Sequence, residues 1–312
     1  MNPNTYFEQK KFILALTTLF KESYDRNIDA KYFEWRYFDK TNPPPYFECE
    51  IRDKILASSY SAMPMEIAHN GEIFESIQSM TTMTHPNWRG LGLFVALAKA
   101  LYSRGILDEK CFVWGFPNTK SQDAFVNKLG WSEICQLPTL TFDLDRPRHM
   151  THKDVSVLSR DDGFQFEYPG MPNDGLIRVN RSREYLFWRY ARNPTNNYSN
   201  FVIHRQSVVS SYLVTKTFKD GIDLVDFHAV NSNEARLLLM GVIQIGLESG
   251  IKTLNCWCTP GANRYNVLRD FGFTESEPFT YFSGLELIPG SAPLGWLDIH
   301  NWDIQMGDSD VY

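Results

Sequence analysis

Apolar residues that recur every three or four positions predict helices in both halves of the chain. In the clearest segment, Leu93, Phe94, Leu97 and Leu101 share one helical face, and Gly105 follows as an expected stop. Later in the chain, Asn231 is a predicted N-cap with Glu234 three residues on, and Gly250 is the expected end of that helix. The predicted helices are 6–24, about 29–38, 91–104 and 120–129, then about 232–249 and 261–270.

Apolar runs between turn residues predict strands in the same order in each half. Asn70-Gly71 is a strong hairpin signal between two of them. The predicted strands are 46–51, 54–68, 72–84, 111–116 and 140–144, then about 200–205, 207–218, 222–230 and 253–258. The expected fold class is α/β of the mixed-sheet α+β type, with a mixed, mostly antiparallel sheet flanked by helices in each half.

An ordered series of aromatic and turn residues occurs twice, roughly 150 residues apart. The series is Trp-Arg-Tyr, then Asn-Pro, then two later tyrosines. Its first copy comprises Trp35, Arg36, Tyr37, Asn42, Pro43, Tyr46 and Tyr60, and its second comprises Trp188, Arg189, Tyr190, Asn193, Pro194, Tyr198 and Tyr212. This order predicts two copies of one fold, residues 1–147 and residues 148–312. Most of the repeated aromatics are expected to lie in the core, because helix ends before Asn-Pro commonly pack there.

Composition and charge exclude several classes of function. The 312 residues carry a formal net charge of −6, so bulk attraction to nucleic acid or to an anionic membrane is not expected. The chain has no long apolar run and no signal-peptide pattern at its start, which predicts a cytoplasmic protein. Its five cysteines form no spaced framework, and Cys256 and Cys258 are predicted core positions on a strand. No metal site is expected.

A glycine-rich segment between a predicted strand and a predicted helix is the sharpest chemical signal. It runs from His85-Pro86 through Arg89-Gly90-Leu91-Gly92 to Leu93-Phe94. Gly90 and Gly92 allow a tight turn and a close approach to a ligand. The backbone amides of Arg89, Gly90, Leu91, Gly92, Leu93 and Phe94 would then converge at the positive end of the helix dipole, which suits a pyrophosphate.

This Pro-x-x-Arg-Gly-x-Gly segment resembles the acyl-CoA-binding motif of the GNAT superfamily of N-acetyltransferases. The segment Pro117-Asn118-Thr119-Lys120-Ser121, followed by Phe125 and Leu129-Gly130-Trp131, resembles a later GNAT segment. The resemblance implies an acyl-CoA cosubstrate, either acetyl-CoA or another short acyl-CoA. It also implies that backbone groups of Met83 and Thr84 hold the pantetheine, Arg89 to Phe94 the pyrophosphate, and Asn118 and Ser121 the cofactor arm.

The acid and base that many GNAT enzymes carry have no counterpart at the matching positions. Phe125 lies where a tyrosine acid is common, and Ile77, Gln78 and Ser79 lie where a carboxylate base is common. The remaining candidates for a base are His85 beside the glycines, Glu75, and the pair Asp226 and His228, which alternate on one predicted strand. The second half has Val230-Asn231-Ser232 in place of the glycine motif, so cofactor binding is expected in the first half only.

The acceptor is less sharply predicted. Tandem domains with these repeated segments and a terminal Gly307-Asp308-Ser309-Asp310 resemble bacterial N-acyltransferases that act on nucleotide-linked amino sugars in surface-polysaccharide pathways. That resemblance implies a dTDP-linked amino-deoxy sugar as acceptor and an acetyl or hydroxybutyryl donor. An aminoglycoside or polyamine acceptor is a second hypothesis, and a non-catalytic acyl-CoA-binding module is a third. The sequence leaves the oligomeric state open. It also leaves open whether Asp308 and Asp310 reach the site.

Overall fold

The computed structural model describes residues 6–39, 44–145, 158–161, 163–164 and 172–310. Asn42-Pro43 of the predicted repeat and the predicted boundary between residues 147 and 148 lie outside these ranges. The boundary therefore stays a prediction.

Five of the six described α-helices form where the sequence predicts helices. The six are α1 (Tyr6–Tyr24), α2 (Ala30–Phe33), α3 (Leu93–Leu107), α4 (Arg183–Leu186), α5 (Ser232–Glu248) and α6 (Arg264–Phe271), and α4 is the one that was not predicted. Helix α2 continues into a π-helical turn, Glu34–Asp39, and α4 into another, Phe187–Ala191, and these turns carry the two Trp-Arg-Tyr segments. A third π turn, Ala124–Lys128, replaces the helix predicted over 120–129.

Gly105 lies inside α3 rather than at its end. A Cβ at this position would lie 3.2 Å from Leu287 and 3.3 Å from Ile77, so the missing side chain lets the helix approach the sheet closely. The helix ends two residues later, with Asp108 as C-cap.

Twelve strands form one mixed sheet in the described part of the chain. They are β1 (Tyr46–Arg52), β2 (Ile55–His69), β3 (Glu72–Thr84), β4 (Phe112–Gly115), β5 (Ser132–Asp143), β6 (Leu158–Arg160), β7 (Arg178–Val179), β8 (Ser199–Arg205), β9 (Val208–Phe218), β10 (Gly221–His228), β11 (Thr253–Cys256) and β12 (Thr274–Glu286). Their order is β1-β2-β3-β4-β12-β5-β11-β10-β9-β8-β6, and β7 pairs with β2 outside this path. Two pairs are parallel, β3 with β4 and β10 with β11, and the other strand pairs are antiparallel.

The two sheets expected from the sequence are joined into one because their last strands cross over. Strand β5 follows β4 in the chain but pairs with β11 of the second half, and β12 follows β11 but pairs with β4 of the first half. The two exchanged strands also pair with each other in the middle of the sheet. Sequence periodicity predicts strands but not partners, and it missed β12 and most of the length of β5.

The two faces of the sheet have separate cores. On β2, Met63, Met65 and Ile67 pack with α1 and the two Trp-Arg-Tyr segments, whereas Tyr60 and Ala62 point to the opposite face and pack with α3. In the second half, residues of β9 to β11 pack against α5 and α6 in a third cluster. Cys256 and Cys258 are buried there, as predicted for core positions, although β11 ends at Cys256.

The two Trp-Arg-Tyr segments pack directly against each other. The rings of Trp35 and Trp188 stack with centroids 5.2 Å apart. Each indole N–H donates to the backbone carbonyl of the other tryptophan, at 2.8 Å from Trp35 and 3.3 Å from Trp188. This reciprocal contact is consistent with two tandem domains of one fold, and it confirms that these aromatics are core residues.

In the described ranges, no helix is both long enough and apolar enough to cross a membrane.

Candidate functional site

A cleft opens where β3 and β4 separate. The two strands are paired only at Ile77 with Val113 and Gln78 with Trp114. Gly115 follows immediately, and a Cβ there would lie 2.8 Å from the Ser79 carbonyl oxygen, so only glycine fits at the point of divergence. Beyond it lies a cavity of about 850 Å³, which is large enough for a small-molecule site. Its described lining includes residues 79–82 of β3 and residues 115–118 after β4.

A β-bulge shapes the β3 side of this cleft. Ser59 of β2 is opposite Met83 and Ser61 is opposite Met80, so β3 contains one extra residue over this stretch. Thr81 lies in the bulge with φ of 48°, an uncommon value for a β-branched residue. Bulges redirect backbone groups and side chains, and both Thr81 and Thr82 line the cleft.

The glycine segment forms the predicted turn at the end of β3. Gly90 and Gly92 have φ of 79° and 75°, in the left-handed region that favours glycine. Gly92 is the N-cap of α3 and offers no side-chain cap to the first-turn amides. A Cβ on either glycine would meet no atom within 4 Å, so there is open space beside the helix start. The helix start therefore has the form of an anion site.

The guanidinium of Arg89 donates to two backbone carbonyls. Its Nε donates to the Thr84 carbonyl at 3.2 Å, and one terminal nitrogen donates to the Ser23 carbonyl at 2.7 Å. The side chain thus ties the turn to β3 and to the end of α1. A role of Arg89 in binding a phosphate would rest on its backbone amide.

Met83 and Thr84 lie in the last part of β3, which pairs with β2 but not with β4. Met83 is buried, and its carbonyl accepts a hydrogen bond from the Ser58 hydroxyl at 2.9 Å. Leu91 is exposed in the turn, whereas Leu93 is buried. Phe94 packs on Phe125 with ring centroids 5.1 Å apart, and Phe125 lines the cleft.

Asn118 and Ser121 both line the cleft on the β4 side. The Asn118 side-chain oxygen accepts from the backbone amides of Lys120 and Ser121, at 2.9 and 3.2 Å. Their side chains therefore hold the turn after β4 in shape. Both stay within reach of a molecule in the cleft.

A carboxylate from the far end of the chain lies in the cleft. Residues 302–310, here called the C-terminal strap, follow the last strand and end at Asp310, which lines the cleft. Thr81 Oγ1 donates to Asp310 Oδ2, and Tyr32 OH donates to the Asp310 carbonyl, both at 3.3 Å. Asp310 is half-buried. The apolar side chains that line the same cleft include Phe20, Ile28, Met80 and Phe116.

Buried polar side chains from both halves hold the strap. Arg189 donates to the carbonyls of Gly307 at 3.1 Å and Ser309 at 3.0 Å. Gln78 Nε2 donates to the Asp308 carbonyl, and Arg181 donates to the Asp308 carboxylate at 2.7 Å. Burial raises the pKa of Asp308 to about 6, against the effect of Arg181. Asp308 therefore holds the strap, and Asp310 is the residue that reaches the cleft.

Two tyrosines in the cleft keep their protons at neutral pH. Tyr24 OH donates to the Thr82 carbonyl at 2.7 Å, and burial together with nearby Asp310 raises its pKa to about 12. Burial likewise raises the pKa of Tyr32 to about 12. Each hydroxyl is therefore a hydrogen-bond donor in the cleft, and each donates to a backbone carbonyl.

Asp226, a predicted candidate base, lies in a buried network instead of the cleft. It is fully buried, and Arg181 Nε lies 2.9 Å from both of its carboxylate oxygens. Tyr190 and Tyr212 donate to it as well, at 2.8 and 3.2 Å. These contacts occupy the carboxylate in joining β10 to β9, to the π-helical turn after α4 and, through Arg181, to the strap.

The other three candidate bases are also outside the described lining of the cleft. His85 Nδ1 accepts from the Asn87 amide at 3.2 Å, so its ring caps the turn before the glycines. Glu75 accepts from Lys110 at 2.8 Å and lines a different cavity of about 420 Å³. His228 lines a third cavity of about 260 Å³ in the second half, and burial lowers its pKa to about 4.

The second half lacks the glycine segment at the matching place, the start of α5. Asn231 caps α5 by accepting from the Glu234 amide at 3.0 Å. The buried Glu234 carboxylate accepts from Ser210 at 2.8 Å and also from Ser211 and Arg205. A capped helix start with a buried carboxylate is unsuited to a phosphate.

Sequence reasoning did not identify Asp310, Tyr24 or Thr81 as site residues. For Asp310 the sequence gives a terminal acidic motif and leaves open whether this residue reaches the site. Thr81 carried no signal, because a bulge depends on strand register. A group of three or more His, Cys, Asp or Glu side chains arranged to hold a metal ion does not occur within the described ranges.

Comparisons with known proteins bear on this geometry. No family model matches the sequence, and no curated protein matches it. Among solved structures, a conserved protein of unknown function from Enterococcus faecalis V583, titled a probable N-acyltransferase, is 14% identical with a TM-score of 0.66; the match covers 89% of this chain and 71% of that one. A GCN5-related N-acetyltransferase from Anabaena variabilis ATCC 29413 is 12% identical with a TM-score of 0.62, over 89% of this chain and 71% of that one.

A more distant group of enzymes has a similar structure. Saccharomyces cerevisiae N-myristoyltransferase with bound myristoyl-CoA is 10% identical with a TM-score of 0.60, over 92% of this chain and 77% of that one. At these identities the likeness concerns the fold alone. The chain has the fold of the GCN5-related N-acetyltransferases, and its similarity to N-myristoyltransferase is of the same order, with TM-scores of 0.62 and 0.60.

Proposed function

We propose that this protein is an acyl-CoA-dependent N-acyltransferase that transfers the acyl group directly to an amine in a ternary complex. The observation that carries the proposal is the continuity of two features along β3. The open cleft lies at residues 79–82 of β3, and the uncapped helix start at Gly92 follows after the turn that ends the strand. A thioester in the cleft and its pyrophosphate at the helix start would then be held by one strand and the turn that follows it.

The donor would use mostly backbone groups. The amides of residues 89–94 suit the pyrophosphate, and the unpaired edge of β3 near Met83 and Thr84 suits the pantetheine. Asn118 and Ser121 would contact the cofactor arm from the opposite wall. An amide of the Thr81 bulge or of the residues after it could polarise the thioester carbonyl. Backbone donors of this kind need no bulk positive charge, which agrees with a net charge of −6.

Acetyl-CoA binding tests the donor site. We expect saturating acetyl-CoA to raise the melting temperature of the protein. Gly92→Trp should abolish this rise, because its side chain would fill the open space beside the start of α3. Gly250→Trp is a matched control, since that glycine also has positive φ and no neighbour within 4 Å but lies at the end of α5. If no acyl-CoA shifts the wild-type melting temperature, the proposal is wrong.

For the acceptor we propose the amino group of a nucleotide-linked, dTDP-type amino-deoxy sugar. A cleft of about 850 Å³ that includes residues of both halves leaves room for an acceptor larger than a simple amine. Arg26 is the one cationic side chain in its described lining, and it is exposed, so it could pair with the acceptor diphosphate. We expect the protein to release coenzyme A thiol when it is given such a sugar. Arg26→Ala should lose this activity selectively for that acceptor.

An aminoglycoside or polyamine is the alternative acceptor. Its several ammonium groups would call for several free carboxylates, whereas Asp29 and Asp310 are the two in the described lining, and Asp29 caps α2 by accepting from the Lys31 amide at 2.9 Å. Turnover of kanamycin or spermidine without turnover of the nucleotide sugar would favour this alternative. Binding of acetyl-CoA with no turnover of any amine would favour a non-catalytic acyl-CoA-binding module.

A further inference from the structure

We infer that Asp310, delivered by the C-terminal strap, binds the ammonium group of the acceptor and accepts its proton. The inference rests on the proposed N-acyltransferase function and adds a catalytic residue to it. It also defines the acceptor as an amine that arrives protonated.

In the described part of the chain, the carboxylate of Asp310 has hydrogen-bonding capacity that an ammonium group in the cleft could use. Within the described ranges, Oδ2 receives one hydrogen bond, from Thr81, and Oδ1 receives none. No lysine or arginine of the described chain lies within 4 Å of it as an ion pair. A half-buried carboxylate beside apolar side chains such as Met80 and Phe116 gains most from a charged donor.

The position of Asp310 suits an attacking nitrogen. It contacts Thr81 of the bulge, beyond the last β3–β4 pair at Gln78 and Trp114, where the thioester would enter between the strands. Its protonated neighbours Tyr24 and Tyr32 cannot accept a proton, because burial raises the pKa of each to about 12. Among the carboxylates of the described lining, Asp29 is already used as a helix cap. Asp310 is therefore the acceptor for the proton.

The strap holds this carboxylate firmly. Arg189 binds the carbonyls on either side of Asp308, and Gln78 binds the carbonyl of Asp308 itself. The strap is thus fixed by main-chain contacts to buried side chains of both halves. A fixed base lowers the cost of orientation during reaction.

The reaction balances as follows. One ammonium proton moves to Asp310, and the freed nitrogen lone pair forms the C–N bond at the thioester carbon while the carbonyl π electrons move to oxygen. These electrons return as the C–S bond breaks, and its electron pair leaves on sulfur. The second nitrogen proton moves to the thiolate and gives free coenzyme A thiol. Asp310 then releases its proton to water.

The test compares acceptors that differ in protonation. The probes are acetyl-CoA with dTDP-3-amino-3,6-dideoxygalactose, kanamycin and spermidine, whose amines are largely protonated at neutral pH, and with hydroxylamine, which is largely neutral. We expect Asp310→Asn to lower kcat/KM by about 100-fold or more for the protonated acceptor that is used. The loss with hydroxylamine should be less than tenfold. Asp310→Glu should recover part of the activity.

Two controls separate this result from other causes. Asp298→Asn changes an exposed carboxylate of the preceding turn, outside the described lining of the cleft, and should leave both rates unchanged. Acetyl-CoA should raise the melting temperature of Asp310→Asn as much as that of the wild type. If acetyl-CoA raises the melting temperature of neither protein, the proposed function fails.

Three results would overturn the role of Asp310 while acetyl-CoA still binds. One is undiminished transfer to protonated amines in Asp310→Asn. Another is an equal loss with protonated amines and hydroxylamine, which would indicate a purely structural role. The third is a wild-type protein that transfers to hydroxylamine but to none of the ammonium acceptors.

Discussion

At the residue scale, the same side-chain types serve very different purposes according to what surrounds them. Asp226 and Asp308 both lie against Arg181 in the interior, whereas Asp310 ends the strap in the cleft with one hydroxyl donor. A buried carboxylate with all its lone pairs occupied is held for structure. An incompletely paired carboxylate beside a cavity is available for chemistry.

Asp226→Asn should destabilise the fold without removing activity. It leaves Arg181 short of one buried partner, and breaking a buried ion pair costs about 3–5 kcal/mol. We expect the free energy of unfolding, measured by urea denaturation, to fall by that order. Turnover per folded molecule should stay within about threefold.

Asp223→Asn is the matched control for this experiment, because Asp223 lies on the same strand and burial raises its pKa. A neutral side chain at this position should lower the free energy of unfolding only slightly. A large loss of turnover in well-folded Asp226→Asn would instead support Asp226 as the base.

His228 should make stability depend on pH below neutrality. Burial lowers its pKa from 6.5 in the unfolded chain to about 4 in the fold. Its contribution is therefore fully present above pH 6.5 and is lost as the pH falls toward 4. The maximum loss is on the order of 3 kcal/mol.

The measurement is urea denaturation of wild type and His228→Gln across this range. The free energy of unfolding of the variant should fall less between pH 6.5 and 4 than that of the wild type. Other groups, such as Asp308, whose raised pKa acts in the opposite sense, titrate in both proteins, so their effect cancels when the two are compared. An NMR titration of His228 near pH 6.5 would contradict the prediction.

At the element scale, the cleft arises from three local departures from regular structure. The bulge at Thr81, the close approach at Gly115 and the positive-φ glycines at residues 90 and 92 occur where β3 leaves β4 and α3 begins. Each is small by itself. Together they leave strand edges and helix amides unpaired at one place.

Gly307→Ala should displace the strap and lower transfer. A Cβ at this position would lie 2.1 Å from the Tyr190 hydroxyl, so the strap must move. We expect kcat/KM for the amine to fall by roughly tenfold, since small misplacements of reacting groups are costly. The melting-temperature rise with acetyl-CoA should persist.

The double variant Gly307→Ala/Tyr190→Phe is the control, because it removes the hydroxyl that the new methyl group meets. Part of the lost transfer should return. If Gly307→Ala transfers as well as wild type, strap position does not matter for the reaction.

At the scale of the whole molecule, the two halves are interdigitated. Strands β5 and β12 cross to the opposite half, and the two tryptophans of the repeated segments stack between them. The strap is bound by side chains from both halves and ends in the cleft of the first. The second half therefore supplies structure to a site whose proposed cofactor contacts lie in the first.

Trp35 and Trp188 should be energetically coupled. Each replacement by alanine should cost about 3–5 kcal/mol. Because each indole loses the same stacked contact and a reciprocal hydrogen bond, the double variant should cost less than the sum by about 1–3 kcal/mol in urea denaturation.

Trp131 and Trp188 form the control pair. Trp131 is also buried, but it belongs to the separate cluster under α3. The losses of unfolding free energy caused by Trp131→Ala and Trp188→Ala should therefore add, to within about 0.5 kcal/mol, in the double variant. If the losses of unfolding free energy for Trp35→Ala and Trp188→Ala are additive, the two tryptophans are not energetically coupled and the prediction is wrong.

Features determined by local chemistry could be predicted from the sequence alone. Helical periodicity located α1, α3 and α5, and the alternation of strands located β1 to β3 and β8 to β10. The glycine turn was also predictable, because positive φ at Gly90 and Gly92 follows from residue type and from the strand–helix context. These signals span a few neighbouring residues.

Long-range pairing decided the rest. No local pattern indicates that β5 pairs with β11, that β12 inserts beside β4, or that Gln78 and Arg189 bind the strap. The bulge at Thr81 depends on the register of two strands, and the place of Asp310 depends on contacts more than 200 residues away in sequence. The sequence thus determined the elements and the glycine turn, whereas tertiary structure decided which carboxylate faces the cleft, because burial and pairing are properties of the assembled fold.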